Sequence, residues 1–319
     1  MFDGEENLKN LPGLCQELLA EQKKRWQDLR EGVESLKGVR ERDISCSRFS
    51  VRLQHNPKRI KSSLTGVGDK NGKQRKCFLC LNHLPEDQKG ILYRGKYLIL
   101  CNPMPIFPSH FTVSHLDHRL QSIVQHTHTL FQLMDDFGSG WKILYNGPKC
   151  GASAPDHLHF QVVPSGQMPI EKDIREEKRL TLMKQTDGIL FYGVKDLGRE
   201  VILIEGDDLT ALEFSFKGYL NGLRKILLID EEPMINVVGF HEETKRRLVI
   251  FPRRKHRPDA FFKEEEARIL VSPGVIDMGG VLITPVEKDF ERLDGASVEG
   301  IFKEVSSDPE TVKRAINAI

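Results

Sequence analysis

The sequence has no long apolar run, no excess of charge of one sign and little cysteine. Its 319 residues carry 47 Lys and Arg against 46 Asp and Glu, a formal net charge of +1. No global field therefore argues for nucleic acid or a membrane surface as partner. No stretch approaches the roughly 20 apolar residues that cross a bilayer. The opening Met1-Phe2-Asp3-Gly4-Glu5-Glu6 is too acidic for a secretory signal. Six cysteines without such a signal argue for reduced thiols and a cytoplasmic address. Hydrophobic residues make up 39%, enough to bury a large core as one or two domains.

The most informative stretch is His157-Leu158-His159-Phe160-Gln161. Read as a strand, it projects two imidazoles and a carboxamide from one face and Leu158 and Phe160 from the other, and Val162-Val163 continue the run to Pro164. A half-buried strand with a polar outer face would show the same alternation. Just upstream, Tyr145 to Asp156 is a loop of small residues, Asn-Gly-Pro-Lys-Cys-Gly-Ala-Ser-Ala-Pro at its centre. Such a loop offers backbone N–H groups, an Asn amide and a Ser hydroxyl to phosphate oxygens. A turn that needs Gly and Pro only for its backbone would look similar.

Taken together, Asn146, Gly151, Ser153 and His157-x-His159-x-Gln161 resemble the active-site signature of the galactose-1-phosphate uridylyltransferase branch of the histidine-triad superfamily. That branch includes GDP-hexose phosphorylases, whose wording His-Leu-His-Phe-Gln resembles, and diadenosine tetraphosphate phosphorylases, to which Gly-Ala-Ser is closer. Leu158 stands where uridylyltransferases have proline, and Asp156 is an extra residue between Ser153 and His157. The segment Arg48 to Ile60 resembles the family's early Asn-Pro-x-Arg segment, with Arg59 as its arginine, and Asn102-Pro103-Met104-Pro105 resembles its nucleotide-side loop.

The resemblance implies an α+β fold of two histidine-triad-like halves, with antiparallel sheets and flanking helices. The expected division is a helical extension over 1–45, a catalytic half over 46–185 and a degenerate second half over 186–319. The implied activity is nucleotidyl transfer or phosphorolysis through a covalent nucleotidyl-histidine on His159. Its donor is a nucleoside-diphosphate sugar or dinucleoside polyphosphate, and its acceptor is phosphate or a sugar phosphate. Gln161 donates hydrogen bonds but moves no proton, and family members with Gln there are typically transferases or phosphorylases. Asn102, Asn146, Gly151, Ser153 and Arg59 are the expected substrate contacts. A hydrolase of the same superfamily and a non-catalytic nucleotide-binding protein are the alternatives. Related uridylyltransferases are often dimers, and open sheet edges invite pairing, so a homodimer is an open expectation.

Cys77-Phe78-Leu79-Cys80 places two thiols where one ion can be reached by both, but two thiolates alone do not close a tetrahedral site. Plain reduced cysteines and a redox Cys-x-x-Cys are the other readings, the latter without a thioredoxin-like βαβ pattern around it. By the resemblance, the ligands are Cys77, Cys80, His118 and His157 around a structural zinc, with His115 competing for the place of His118.

Elsewhere, the pattern predicts a helix over Leu8–Lys37, strands over Tyr93–Cys101, Phe111–Val113, Trp141–Tyr145 and His157–Val163, and one helix over Leu116–Phe137. His126 and His128 on that helix face different ways and are not read as ligands. The Lys-, Gly- and Ser-rich linker of Lys58–Lys76 lacks aromatic interleaving and reads as a solvated loop. In the second half, strands are expected at Gly188–Tyr192 and Val201–Glu205, a helix at Leu209–Leu228, and a hairpin of Ile235–His241 with Arg247–Phe251. Nothing like His-x-His follows Gln161, so this half is expected to supply support and contacts. Its basic run Arg253 to Pro258 is read either as a phosphate-binding fork or as a solvated turn. Gly279-Gly280 marks a close backbone approach or a bulge.

Overall fold

A computed structural model of the chain describes residues 2–3, 10–60, 76–242 and 244–319. Most of the Lys58–Lys76 linker and the start of the expected Leu8–Lys37 helix lie outside the described residues. In chain order the elements are β1 (Phe2–Asp3), α1 (Leu11–Arg25), α2 (Gln27–Ser35), β2 (Arg40–Ser45), β3 (Ser50–His55), β4 (Gly90–Tyr93), β5 (Tyr97–Cys101) and β6 (Phe111–His115). Next come α3 (Thr127–Phe137), β7 (Trp141–Asn146), β8 (His159–Pro164), α4 (Ile170–Asp173), β9 (Leu180–Thr186), β10 (Ile189–Val194) and β11 (Ile202–Gly206). The chain ends with α5 (Leu209–Leu227), β12 (Ile235–Glu242), β13 (Lys245–Pro252), α6 (Val275–Met278), β14 (Val281–Thr284), α7 (Glu287–Arg292), α8 (Gly295–Val305) and α9 (Pro309–Asn317).

The strand order exposes a duplication. One sheet runs β4-β5-β6-β8-β7-β12-β13-β11-β10-β9, with β1 added parallel beside β4. In each half, three antiparallel strands lead into a helix and two further antiparallel strands, and the last strand inserts next to the third. The halves meet at β7 and β12, antiparallel, with Asn146 opposite Asn236. This is the two-halved α+β architecture that the resemblance implies.

Alternation along the strands divides the interior in two. Phe160 and Val162 of β8, Ile143 and Tyr145 of β7 and Leu248 and Ile250 of β13 enter one core with α1, α3, α5 and α9. Leu144, Val163, Val249 and Phe251 enter the other, with α6, α8 and a three-stranded sheet of β14, β3 and β2. His159 and Gln161 share the second face by their period-two spacing. Because β14 pairs parallel with β3, the tail of the second half lies over the first.

Four expected elements differ in the structure. The Leu8–Lys37 helix is broken at Trp26, whose φ of −102° and ψ of 112° are extended and whose side chain is buried. Tyr93–Cys101 is the turn and second strand of a hairpin: Tyr93 pairs with Tyr97, and Arg94 and Gly95 in the connection take φ of 48° and 62°. The Leu116–Phe137 helix is confined to Thr127–Phe137, with His126 at its N-cap. Upstream, Glu232 accepts from the Ser122 hydroxyl and the Ile123 N–H, which competes with helical hydrogen bonding. Finally, β8 begins at His159; His157 sits in the bend before it, so the three polar residues are not one strand face. Strands β1, β2, β3, β9 and β14 lie outside the expected strands.

The docking of α9 on α5 gives a test. A Cβ on Gly222 would meet the Ala315 carbonyl oxygen at 2.5 Å. Intrinsic helix propensity favours Gly222→Ala by about 1 kcal/mol, whereas overpacking costs about 1–3 kcal/mol. The substitution is expected to lower the urea midpoint, and a raised midpoint would contradict this packing.

Candidate active site

His159 opens β8 with every polar atom but one committed. Its backbone N–H donates to Gln121 Oε1 (2.8 Å), and the Gln121 amide in turn donates to the carbonyls of Asn146 (2.8 Å) and His159 (3.1 Å). Its Nδ1 lies 2.8 Å from the His157 carbonyl oxygen. A carbonyl can only accept, so Nδ1 carries the proton and Nε2 keeps its lone pair. Burial pushes the imidazole down to about 4, so it is neutral at physiological pH.

Gln161 is oriented the same way. The Ile106 N–H donates to His110 Nδ1 (3.2 Å), which places the ring proton on Nε2, 2.7 Å from Gln161 Oε1. With its oxygen accepting from His110, the Gln161 NH2 is the end left for the cavity. Burial, with Arg59 nearby, lowers His110 to about 4, so this tautomer persists. Asn146 is set from the second half: its Oδ1 accepts from the Val275 N–H (2.7 Å) and from Asn236 Nδ2 (2.7 Å).

These groups line a cavity of about 520 Å³ together with Asn102, Gly151, Ser153 and Arg59. All seven expected catalytic and substrate-contacting residues therefore face one space. Asn102 Oδ1 accepts from the Met104 N–H (2.9 Å), which shapes the Asn-Pro-Met-Pro turn. Arg59 Nη1 donates to the Met104 carbonyl (2.7 Å). Gly151 has φ of +105°, and a Cβ there would meet the Gly274 Cα at 2.7 Å; the loop passes too close to the second half for any side chain.

The basic run, read two ways in the sequence, brings His256 and Arg257 to the second-half wall of the cavity, whereas His110, Gln121, Ser272 and Asp277 were missed. Their only sequence signal is polarity inside apolar stretches. Of the basic run, Arg253 does not reach the cavity as a ligand group. It is buried, and donates to Asn236 Oδ1 and to the carbonyls of Pro273, Lys255, His256 and Val305. Gly279-Gly280 does not line the cavity either; it turns the chain from α6 into β14, and the Gly280 carbonyl accepts from the Arg52 N–H (2.9 Å).

Beside the cavity, Cys77, Cys80, His118 and His157 bring one ligand atom each to within 4.8 Å of all the others. Cys77 Sγ lies 3.2 Å from His157 Nδ1, and Cys80 Sγ lies 3.1 Å from His118 Nδ1. The far nitrogens are held by acceptors: His157 Nε2 by the His115 carbonyl (2.7 Å) and His118 Nε2 by Asp156 (3.4 Å). That arrangement turns both Nδ1 lone pairs toward the thiols, as metal ligands require. His115 does not join them, since its Nδ1 accepts from the Asp117 N–H (3.0 Å). Donor set, spacing and outer partners fit one metal ion.

Residues 18–164 match the model of a family described as a domain of unknown function, DUF4922. No curated protein matches the chain. Among solved structures, the yeast Ap4A phosphorylase Apa2 aligns over 88% of this chain and 96% of its own, with a TM-score of 0.57 at 11% identity. Its complex with AMP aligns over the same shares with a TM-score of 0.52 at 13% identity. The two proteins share a fold. At such identity the likeness reaches the architecture and no further, and it agrees with the uridylyltransferase-like fold expected from the sequence. Among the described residues, no helix is long and apolar enough to cross a membrane.

Elemental analysis of the purified protein is expected to find one transition-metal ion per chain. His118→Ala should lose it, whereas His115→Ala should retain it; equal retention by both would rule out the four-ligand set.

Proposed function

We propose that the chain is a nucleotidyltransferase of the phosphorylase type, acting on a nucleoside-diphosphate sugar or a dinucleoside polyphosphate through a nucleotidyl-His159 intermediate. The observation that carries this reading is the neutral imidazole whose Nδ1–H is tied to the His157 carbonyl, leaving the Nε2 lone pair to a cavity also lined by Gln161, Asn146, Gly151 and Ser153. The shared fold with an enzyme named an Ap4A phosphorylase, crystallised with AMP and with Ap4A, supports the substrate class.

In the first step Nε2 attacks the α-phosphorus in line. An N–P bond forms, the bond from phosphorus to the bridging oxygen breaks, and the departing group leaves with the electron pair as a phosphate-bearing anion. The imidazole becomes cationic and keeps its Nδ1 proton, which the His157 carbonyl stabilises. In the second step an oxygen of the acceptor phosphate attacks phosphorus, the N–P bond breaks and His159 returns neutral. Gln161 NH2 and the amide nitrogen of Asn146 donate to the non-bridging oxygens as charge develops. No proton passes through Gln161, since a carboxamide is neither acid nor base.

The metal is read as zinc, suited to two thiolates and two imidazoles. With four protein ligands it supplies no activated water and serves to fix His157.

Incubation with α-labelled donors tests the proposal. Wild type is expected to acquire acid-labile, alkali-stable label that His159→Asn never acquires, and to release a nucleoside diphosphate only when phosphate is present. Free monophosphate at every phosphate concentration would instead identify a hydrolase. His110→Phe, which removes the donor that orients Gln161, should lower kcat by about 10- to 1,000-fold with little change in KM. An unchanged kcat would show that Gln161 needs no such orientation.

A further inference from the structure

The basic run at 253–257 is the sequence feature that transfer through His159 leaves unused, and the structure divides it sharply. Arg254 donates to the carbonyls of Glu304 and Lys303, and Lys255 pairs with Asp259 and Glu304. Arg253 gathers the carbonyls of Lys255 and His256. That contact draws the loop's carbonyl oxygens, which would repel an anion, onto a buried guanidinium. The side chains of His256 and Arg257 then face the cavity on which His159 opens.

Arg257 is 7% exposed. Its Nε donates to Ser272 Oγ (2.8 Å), and its guanidinium carbon lies 4.5 Å from the centre of the Phe261 ring. Ser272 Oγ is also 3.2 Å from His256 Nε2. With one proton and two lone pairs, that hydroxyl ties the guanidinium and the imidazole together. Burial and the nearby Arg257 and Arg253 press His256 down to about 3, so the ring is neutral. A guanidinium and a neutral imidazole joined by one serine line this wall of the cavity.

We propose that Arg257, Ser272 and His256 form the subsite for the phosphate that is not transferred. This rests on the reading of His159 as the nucleophile of a transfer reaction. In-line displacement at His159 puts the departing phosphate and the incoming acceptor phosphate in the same apical position opposite Nε2, so one anion subsite serves both. The forked guanidinium suits a phosphate better than a single point charge would. Its chemistry is met equally by inorganic phosphate and by the phosphate of a sugar phosphate. The degenerate half thus holds the acceptor while the first half holds the nucleophile.

Equilibrium binding to the full chain tests this without turnover, using inorganic phosphate and glucose 1-phosphate as separate probes. Wild type and His159→Asn should bind alike. Arg257→Gln should weaken both probes about tenfold or more, and Ser272→Ala, which removes little volume, should weaken them by a smaller factor. Clearly tighter binding of glucose 1-phosphate identifies the sugar-bearing source, and equal affinity identifies inorganic phosphate. Undiminished binding by folded Arg257→Gln overturns the proposal. If that variant does not fold, undiminished binding by Ser272→Ala does so. If binding depends on Arg257 but His159 never takes label, the subsite stands and the transfer reading falls.

Discussion

One hydrogen bond, from His159 Nδ1 to the carbonyl oxygen of His157 at 2.8 Å, governs what the site can do. It decides which nitrogen keeps its proton, and so which one has a lone pair to offer. A carbonyl is placed by its own residue's backbone, and His157 lies in a bend where no strand ladder holds it. The N–H of the same peptide group, that of Leu158, donates to the Arg119 carbonyl (2.6 Å), and the His157 ring adds a second hold, drawn between the two thiols on one side and the His115 carbonyl on the other. The Cys-His cluster therefore reaches His159 through a single peptide group. A metal held by all four ligands would support the site from outside it, through the orientation of His157.

The same logic of fixed tautomers recurs across the cavity. Backbone N–H groups set His110 and, through it, Gln161; the Val275 N–H and Asn236 set Asn146; Ser272 joins Arg257 to His256. Each of these groups is neutral or a permanent cation, and each is tied to a hydrogen-bonding partner. Such preorganisation suits a reaction in which charge shifts over phosphate oxygens and no proton needs to move.

His159, Gln161 and the small-residue loop were legible in the sequence as parts of one site because their spacing is short. The Cys pair was legible as half of a site, and Asp156, seen only as an extra residue, turns out to hold His118. His110, Gln121 and Asp277 were not legible, since their roles come from contacts across 51, 38 and 6 residues that no periodicity encodes. Helix lengths were overestimated at Trp26 and before Thr127 for a related reason. There, burial of one side chain and capture of backbone N–H groups by a distant carboxylate override a continuous helical pattern.

The duplicated sheet raises the question of why only one half carries this chemistry. On β8 the face bearing His159 and Gln161 opens on the cavity. On β13 the corresponding face carries Val249 and Phe251, and these are buried in a core with Val298, Ile301 and Phe302 of α8. Arg199 lies 4.3 Å from the centre of the Phe302 ring and 5.8 Å from that of Phe251, and it donates to the carbonyls of Met278 and Leu197. The space that a second site would need is therefore filled by α8, and a histidine on that face of β13 would meet apolar side chains and no ligand. Through β14, which pairs with β3, and the 272–277 segment, the same C-terminal region reaches back over the first half and closes its cavity. The asymmetry of the fold and the completion of the site follow from one rearrangement.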